Sequence, residues 1–243
     1  MENTNLIKDN IDNLTTLWRT VATPLLSYHK NDPFQFSQIQ NSGWPNRLWF
    51  REEITEENLP QILDIIKNNP GLVIPYWDVF GSNSKEIFEK NGFEIRNQLV
   101  AMALKLDQKF ELENKLHFKR VLNEEDAKTW SDIYPLSFNY VISKETLVHN
   151  YENVKFYLVH LDEKPIGTLT LFQTGKVMGI HGVGVIPEMR KKGFAEEIMK
   201  FAINEAIDAK AEYAQLQASP LGKNIYSRLG FEDLFSITNY FLG

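Results

Sequence analysis

The chain has 243 residues, of which 43% are hydrophobic and 24% are charged, and its formal net charge is -6. This length suits one large domain or two small ones, and the acidic balance argues against a broad nucleic-acid-binding surface. Cysteine is absent, which excludes disulfides, thiolate metal sites and acyl transfer through a cysteine sulfur. The five histidines show no metal-ligand spacing, so we expect no metal site.

Neither a membrane span nor a secretion signal is evident in the sequence. No apolar run approaches the roughly 20 residues that a bilayer span requires. The first ten residues, MENTNLIKDN, lack the basic-then-apolar plan of a signal peptide. We therefore expect a cytoplasmic protein with no membrane partner, while its oligomeric state stays open.

The first half of the chain is predicted to begin with a helix and a polar, aromatic loop that ends near residue 46. Strands and helices are predicted to alternate after this loop. Helices are predicted at residues 3–21, 55–69 and 84–90, and strands at 47–50, 71–77 and 93–106. Thr55 is a candidate cap for the second helix, and Pro60 falls in its first turn, where a missing N–H is tolerated. The run 93–106 is compatible with one long strand or with a strand pair.

The second half shows a more regular pattern, beginning after the charged segment 107–115. Strands are predicted at residues 116–122, 155–161, 165–172, 177–185, 213–218 and 231–242, and helices near 124–136, 143–152, 193–210 and 222–229. The sequence NEED at 123–126 is typical of a helix N-cap with acids in the first turn. This order predicts an α/β fold with a mixed sheet, divided into domains at residues 1–110 and 111–243.

Two short segments of the chain resemble each other. IFEKNGF (87–93) and IYSRLGF (225–231) share an isoleucine, an aromatic residue, a cation and a Gly-Phe ending. Aligning them places the predicted helix 55–69 against 193–210 and the strand 71–77 against 213–218. The first half is therefore predicted to be a partial copy of the second, with Phe88 in the place of Tyr226.

The stretch VGVIPEMRKKGFAEEIM (183–199) joins a predicted strand to a long helix. Its cations and a glycine, Arg190 to Gly193, fall where the helix begins and exposes unpaired N–H groups with a partial positive charge. Three cations there would repel the helix dipole unless an anion is bound, so the segment favours a phosphate site. A solvated basic turn is the alternative. The chain lacks GxxxxGK[ST] and GxGxxG, which argues against a nucleoside triphosphatase or a dinucleotide enzyme.

These residues resemble the acyl-CoA-binding signature of the GNAT superfamily of N-acetyltransferases. Its core, Arg/Gln-x-x-Gly-x-Gly/Ala, is present as Arg190, Gly193 and Ala195, and LQASPLGKNIYSRLGF (216–231) is similar to the second motif of the superfamily. Arg190 and Tyr226 are 36 residues apart. The resemblance covers about residues 115–243 and implies a mostly antiparallel sheet flanked by helices. The first half matches only in outline, like the degenerate half of tandem members.

The resemblance implies acetyl-CoA as co-substrate and assigns cofactor-binding residues in three groups. The amides of the basic loop would hold the pyrophosphate: Arg190, Lys191, Lys192, Gly193, Phe194 and Ala195. The backbone of the preceding strand would pair with the pantetheine arm: Val183, Gly184 and Val185. Ser219 stands where many members have an asparagine that steadies the cofactor, and Asn224 could compensate for the change. The glycines 182 and 184 fit a ligand lying against the strand, a β-bulge, or both.

The same resemblance assigns Tyr226 as the general acid that protonates the departing thiolate, because unperturbed pKa values of about 10 for a phenol and about 8.5 for a thiol keep the transfer feasible. A packed aromatic is the alternative. Members with a carboxylate base carry it near Gly179, where this chain has no acid. His181, expected on the same strand face as Val183, is the nearest candidate base. A structural role for this histidine and a water chain to a distant base stay open.

The first copy is expected to have lost this chemistry. Its counterpart of the basic loop, REEITEEN (51–58), carries four glutamates and no glycine, and carboxylates there would repel a pyrophosphate. We expect Phe88 to be a core residue and the N-terminal half to wall the acceptor site, with aromatic residues from 40–50 contributing.

The sequence thus favours acetyl transfer from acetyl-CoA to a primary amine, on a small molecule or a peptide, by direct attack in a ternary complex. A non-catalytic acyl-CoA sensor is the alternative, because the carboxylate near Gly179 is missing. An aminoacyl-tRNA-dependent transferase is disfavoured by the acidic net charge and the intact basic loop.

Overall fold

A computed structural model describes residues 2–79, 84–113 and 115–243. The helices in this part of the chain are α1 (Glu2–Ala22), α2 (Leu59–Asn68), α3 (Ser84–Lys90), α4 (Glu124–Phe138), α5 (Lys144–Val148), α6 (Phe194–Asp208) and α7 (Lys223–Arg228). The strands are β1 (Tyr28–Asn31), β2 (Phe34–Ser37), β3 (Arg47–Trp49), β4 (Ile74–Trp77), β5 (Phe93–Lys105), β6 (Leu116–Arg120), β7 (Lys155–Leu161), β8 (Lys164–Thr174), β9 (Val177–Val185), β10 (Tyr213–Ala218) and β11 (Glu232–Leu242). The predicted α/β fold, with a large and mostly antiparallel sheet flanked by helices, is confirmed.

Eight strands form one sheet in the order β4-β11-β5-β10-β9-β8-β7-β6, and β1, β2 and β3 form a small second sheet. All neighbouring pairs of the large sheet are antiparallel except β9 and β10. The large sheet is covered on both faces, as alternate residues of β5 show. Met102 packs in the core that contains α6, whereas Ala101 packs with Trp18 of α1 on the other face.

Strands from the two halves of the chain interleave within the large sheet. The order α2-β4-α3-β5 in the first half repeats as α6-β10-α7-β11 in the second. Strand β5 lies between β10 and β11, and β11 lies between β4 and β5. The boundary predicted at residues 110 and 111 falls in the connection from β5 to β6, while the sheet runs across both predicted domains without a break.

Two local features differ from the sequence predictions, and a third decides between two predicted alternatives. Helix α2 begins at Leu59 rather than at residue 55, because Thr55 and Asn58 bond each other's backbone N–H groups with their side chains, at 2.9 and 3.3 Å. Pro60 lies in its first turn as predicted. Residues 93–105 form one long strand. The predicted loop before residue 46 contains the β1–β2 hairpin, whose polar residues hide the alternation typical of strands.

The start of α4 agrees with its predicted cap. The Asn123 side chain accepts a hydrogen bond from the Asp126 backbone N–H at 2.8 Å, and three acids occupy the first turn. This cap fixes the direction of α4, whose other end reaches the functional region of the sheet.

Candidate active site

Strands β9 and β10 part in the middle of the large sheet. They pair only from Tyr213 opposite Val177 to Gln215 opposite Gly179. Beyond that point β9 continues along β8, and β10 continues along β5. The facing backbone groups of the two diverging strands therefore border a gap, which is the place where an extended ligand could pair with β9 as an additional strand.

A β-bulge interrupts β9 beside this gap. Thr168 pairs with Gly184 and Thr170 with His181, so two residues of β9, Gly182 and Val183, stand opposite one residue of β8. Gly182 has a φ of 57°, a left-handed conformation that glycine adopts without strain. The bulge that was one interpretation of these glycines is confirmed.

The bulge also overturns the predicted orientation of His181. Ile180, Val183 and Val185 pack in the core beneath α6, so the extra residue shifts the alternation of faces between Ile180 and Val183. His181 therefore points to the opposite face, where its Nε2 lies 3.4 Å from Oδ1 of Asn13 in α1. The expectation that His181 shares a face with Val183 was wrong, whereas the shared core position of Val183 and Val185 is confirmed.

Aromatic residues of α4 cover the bulge on the face of His181. The rings of Tyr134 and Phe138 stack with centroids 4.3 Å apart. A Cβ atom at position 184 would lie 2.6 Å from Cε2 of Phe138, and one at position 182 would lie 3.4 Å from Cε2 of Tyr134. Gly184 is thus required for the close packing of the end of α4 against β9.

The basic loop presents a set of free amides at the start of α6. The N–H groups of Glu196 and Glu197 donate to the Gly193 carbonyl, whereas those of the residues from Lys191 to Ala195 donate to no acceptor among the described residues. Gly193 caps the helix with a φ of 85°, and apart from its neighbours in the chain no described residue lies within 4 Å of an added Cβ. These free donors and the helix dipole suit an anion.

The cationic side chains of the loop are placed differently from one another. Arg190 donates through Nε to the Val185 carbonyl at 3.1 Å and through Nη2 to the Leu136 carbonyl at 3.5 Å. It therefore ties the loop to the ends of β9 and α4. Lys191 is exposed and adopts a φ of 62°, and Lys192 extends back along the loop, with Nζ 3.6 Å from Sδ of Met189.

Tyr226 lies on α7 and packs against the core that contains Val183, Val185 and Phe194. Its hydroxyl oxygen would be 3.2 Å from an added Cβ at Gly222, so the ring lies over the start of α7. The hydroxyl makes no hydrogen bond to any residue that the structure describes. Burial raises the pKa of Tyr226 to about 12, so the phenol is protonated at neutral pH.

Ser219 and Asn224 flank this tyrosine. Ser219 forms the turn before α7, since its Oγ and its carbonyl both accept from the Gly222 N–H, at 3.3 and 3.0 Å. Asn224 is exposed, and only its carbonyl is engaged, by Nη1 of Arg228 at 3.2 Å. The Ser219 side chain is thus used in local structure, whereas the Asn224 amide is free within the described chain.

Helix α1 places a polar cluster beneath the gap on the face of His181. Asn10 accepts from Nε2 of Gln217 at 2.9 Å, and Asn13 donates to the Phe172 carbonyl at 3.0 Å. Burial lowers the pKa of His181 to about 4, while a hydrogen bond with Gln217 opposes this shift. The imidazole is therefore neutral at pH 7. An added Cβ at Gly179 would lie 2.0 Å from Oδ1 of Asn13, so the asparagine fills the space beside this glycine.

Phe88, which the sequence alignment of the two turns places opposite Tyr226, is a core residue, as predicted. Phe88 has no exposed surface, and its ring stacks on Tyr240 of β11 with centroids 4.8 Å apart. In the acidic segment 51–58, Arg51 pairs with Asp12 of α1 at 2.6 Å.

Sequence reasoning missed seven residues that the tertiary fold brings to the site: Asn10, Asn13 and Trp18 of α1, Arg47 of β3, Tyr134 of α4, Tyr140 after α4 and Gln217 of β10. A signal for two of them exists in the sequence, because Asn10 and Asn13 interrupt the apolar face of α1 formed by Leu14 and Leu17 and are almost fully buried. The aromatic segment 40–50 was predicted to wall the site, and Gly43 of this segment packs against Tyr140, 3.0 Å from an added Cβ to Cδ2 of the ring.

No helix among the described residues is long and apolar enough to cross a membrane. In the same part of the chain, no cluster of three or more His, Cys, Asp or Glu side chains is arranged to hold a metal ion.

Comparison with known proteins agrees with this geometry. Residues 120–231 match the family model described as the acetyltransferase (GNAT) family. A GCN5-related N-acetyltransferase from Kribbella flavida is 16% identical, with a TM-score of 0.66 over 91% of this chain and 93% of that one. A GCN5-related N-acetyltransferase from Sphaerobacter thermophilus is 14% identical, with a TM-score of 0.61 over 86% of this chain and 76% of that one.

A putative acetyltransferase of the GNAT family from Novosphingobium aromaticivorans is 12% identical, with a TM-score of 0.60 over 93% of this chain and 96% of that one. At these identities the structural likeness shows a shared fold. A search of curated proteins finds no match.

Proposed function

Because residues 120–231 match the acetyltransferase (GNAT) family model, we propose that the protein is an N-acetyltransferase that moves the acetyl group of acetyl-CoA to a primary amine. The observation that carries the proposal is that the gap between β9 and β10 occurs together with free amides at the start of α6. Since the sequence contains no cysteine, there is no thiol to carry the acetyl group, which supports direct attack in a ternary complex.

The residues around the gap fit coenzyme A. We propose that its pyrophosphate accepts hydrogen bonds from the N–H groups of the residues from Lys191 to Ala195, where the helix dipole favours negative charge. Arg190 holds the loop in place through the Val185 carbonyl. The pantetheine arm would pair with the backbone of Val183, Gly184 and Val185. Ser219 and Asn224 flank Tyr226 and would border the same ligand.

Tyr226 is proposed to assist the departure of the thiolate. Its hydroxyl has no protein partner among the described residues, and its pKa of about 12 keeps the proton in place for donation. Because a thiol has a pKa of about 8.5, complete proton transfer from this phenol is uphill. We therefore assign its main effect to a hydrogen bond that strengthens as negative charge develops on the sulfur.

His181 is proposed to guide the proton that leaves the amine. With a pKa of about 4, it is a weak base, so the amine must arrive largely deprotonated. Together with Asn13 and Gln217 it can orient water along the polar cluster. We accordingly expect the acidic limb of the rate profile to follow the pKa of the acceptor amine rather than that of a free imidazole.

The N-terminal half is proposed to be a degenerate copy of the acetyltransferase half that walls the acceptor site. Its support is the repeated order α2-β4-α3-β5 and α6-β10-α7-β11 and the replacement of Tyr226 by the buried Phe88.

The proposed function is tested by mixing the purified protein with acetyl-CoA and a panel of amines and measuring the release of free CoA thiol. We expect turnover with at least one amine. A non-catalytic acyl-CoA sensor, which the missing carboxylate at Gly179 favours, would bind acetyl-CoA but release no thiol with any amine. That result would replace the enzymatic proposal.

A further inference from the structure

Arg47, the first residue of β3, is a partly buried cation that has no acidic partner among the described residues. Its Nη1 donates to the carbonyl of its neighbour Asn46 at 2.9 Å, and its guanidinium carbon lies 6.0 Å from the centroid of the Trp18 ring. Arg47 forms no ion pair with any residue that the structure describes. A cation that is withdrawn from water and left unpaired destabilises the fold, so a ligand with the opposite charge is the expected partner.

Within the described chain, the main groups that act electrostatically on Arg47 include no carboxylate. They are two tyrosine hydroxyls, those of Tyr134 and Tyr140, and a second cation, Arg96 of β5. The two hydroxyls lie 2.6 Å apart. Burial lowers the pKa of Arg47, but a guanidinium stays charged at neutral pH. Arg96 is exposed and likewise forms no ion pair within the described chain.

The two tyrosines that act electrostatically on Arg47 also lead to the bulge of β9. Tyr134 contacts the bulge at Gly182, and its hydroxyl bonds that of Tyr140. Tyr140 in turn packs against Gly43, whose N–H donates to the Val141 carbonyl at 2.7 Å. The N-terminal segment that carries Arg47 is therefore fastened to the loop after α4, on the face of the sheet where His181 lies.

We propose that Arg47 binds an anionic group of the acceptor, which is therefore an amine that also carries a carboxylate, as a free amino acid does. This inference rests on the proposed acetyl transfer and adds the substrate class. The guanidinium fork and the adjacent hydroxyls match the two oxygens of a carboxylate. The amine end of the same molecule extends along Tyr134 towards the bulge. A phosphate presents similar oxygens and is the competing source of the anion.

The test compares paired acceptors in the thiol-release assay. Each of the common amino acids is measured against its carboxamide, and O-phosphoethanolamine is measured against ethanolamine. We expect at least one amino acid to have a KM tenfold or more below that of its amide, since losing one charged interaction changes affinity by that order. Equal KM values for every pair, or a preference for the phosphate compound alone, would overturn the carboxylate assignment.

Three variants separate the role of Arg47 from a structural one. Arg47→Gln should raise the KM of the amino acid tenfold or more and leave its amide unaffected. Arg47→Lys should recover part of the loss, and Arg51→Gln, at an exposed arginine near β3, should change neither value. Because the cation is unpaired, the Tm of Arg47→Gln without ligands should equal or exceed that of the wild type. A lower Tm, or an unchanged KM for the amino acid, would refute the inference.

Failure of this inference is distinguishable from failure of the proposed function. Titration of CoA into the wild type and into Arg47→Gln reports on the cofactor site alone, and the two affinities should agree. If CoA binds and neutral amines are acetylated without preference for a carboxylate, only the inference about Arg47 fails. If CoA does not bind to the wild type, the proposed function itself fails.

Discussion

The turns IFEKNGF and IYSRLGF occupy corresponding places in the two halves of the sheet, but their aromatic residues have different surroundings. Phe88 is fully buried and stacks on Tyr240. Tyr240 belongs to β11, the strand of the second half that lies between β4 and β5. Tyr226 is partly exposed, and its hydroxyl lacks a partner among the described residues. The same turn can therefore serve packing alone or present an oxygen to a ligand, depending on what surrounds it.

The starts of the preceding helices differ in the same way. Before α2, Thr55 and Asn58 satisfy each other's backbone N–H groups, and the surrounding glutamates are exposed. Before α6, Gly193 caps the helix without a side-chain hydrogen bond and leaves amides free. A helix start whose backbone N–H groups are hydrogen-bonded within the chain stabilises local structure. One whose N–H groups have no acceptor leaves donors for an anion. This contrast can be tested residue by residue.

The largest effect is expected from a substitution that blocks the free N–H groups at the start of α6. Gly193→Glu adds a side chain at a φ of 85° and a carboxylate where the pyrophosphate is proposed to bind, so acetyl-CoA binding should be lost. Gly71→Glu is the matched control, because Gly71 has a φ of 86° and open surroundings in the first half. Isothermal calorimetry should show binding to the control variant only, and retained affinity in Gly193→Glu would refute the loop assignment.

The next largest effect concerns the oxygen that only the second turn carries. Tyr226→Phe should lower kcat by about 10²–10³-fold, the usual cost of removing a hydrogen-bond donor that stabilises developing negative charge, and leave the Kd of acetyl-CoA unchanged. Steady-state thiol release measures the first quantity, and calorimetry measures the second. An unchanged kcat would remove Tyr226 from the mechanism.

The reciprocal change should affect stability rather than activity. Phe88→Tyr places a hydroxyl among the rings of Tyr240, Phe93 and Tyr76, and an unsatisfied buried hydroxyl costs about 1–3 kcal/mol. Urea denaturation should therefore show a lower free energy of unfolding, with kcat close to that of the wild type. A large fall in kcat without loss of stability would mean that the first turn takes part in catalysis.

The smallest effect is a pH dependence at His181. The folded chain binds this proton less readily than the unfolded chain, because burial lowers the pKa from 6.5 to about 4. This pKa difference does not affect the free energy of unfolding above pH 6.5. Below pH 6.5 it lowers the free energy of unfolding progressively as the pH falls towards 4. Because His181 is partly exposed, the loss of stability should be smaller than the roughly 3 kcal/mol that the whole pKa shift would give.

The variant His181→Gln isolates this contribution. Chemical denaturation from pH 7.5 to 4 should show a shallower loss of stability in His181→Gln than in the wild type. Parallel curves for the two proteins would contradict the buried, neutral state of His181.

The sequence predicted much of the fold because its signals are local. The runs 155–161, 177–185 and 213–218 became β7, β9 and β10 with the predicted ends, and the cap at Asn123 depends on a contact three residues away. The interleaving of β5 and β11 was not predicted, because strand pairing depends on partners more than 100 residues apart. The face of His181 was wrong for a related reason, since the bulge that sets it depends on the register with β8.

The candidate site shows the same limit. The basic loop and Tyr226 lie in one continuous motif region, so the sequence singled them out. Arg47 and Asn13 were missed because only the tertiary fold brings them beside β9. No local sequence pattern marks a cation that forms no ion pair with the described residues.

The most direct test of the contrast between the halves is the stoichiometry of CoA binding, measured by isothermal calorimetry on the wild-type chain. We expect one site per chain, because only the second half offers the gap beside β9 together with the free amides before α6. Two sites per chain would show that the first half also binds the cofactor, and no detectable binding would contradict the proposed function.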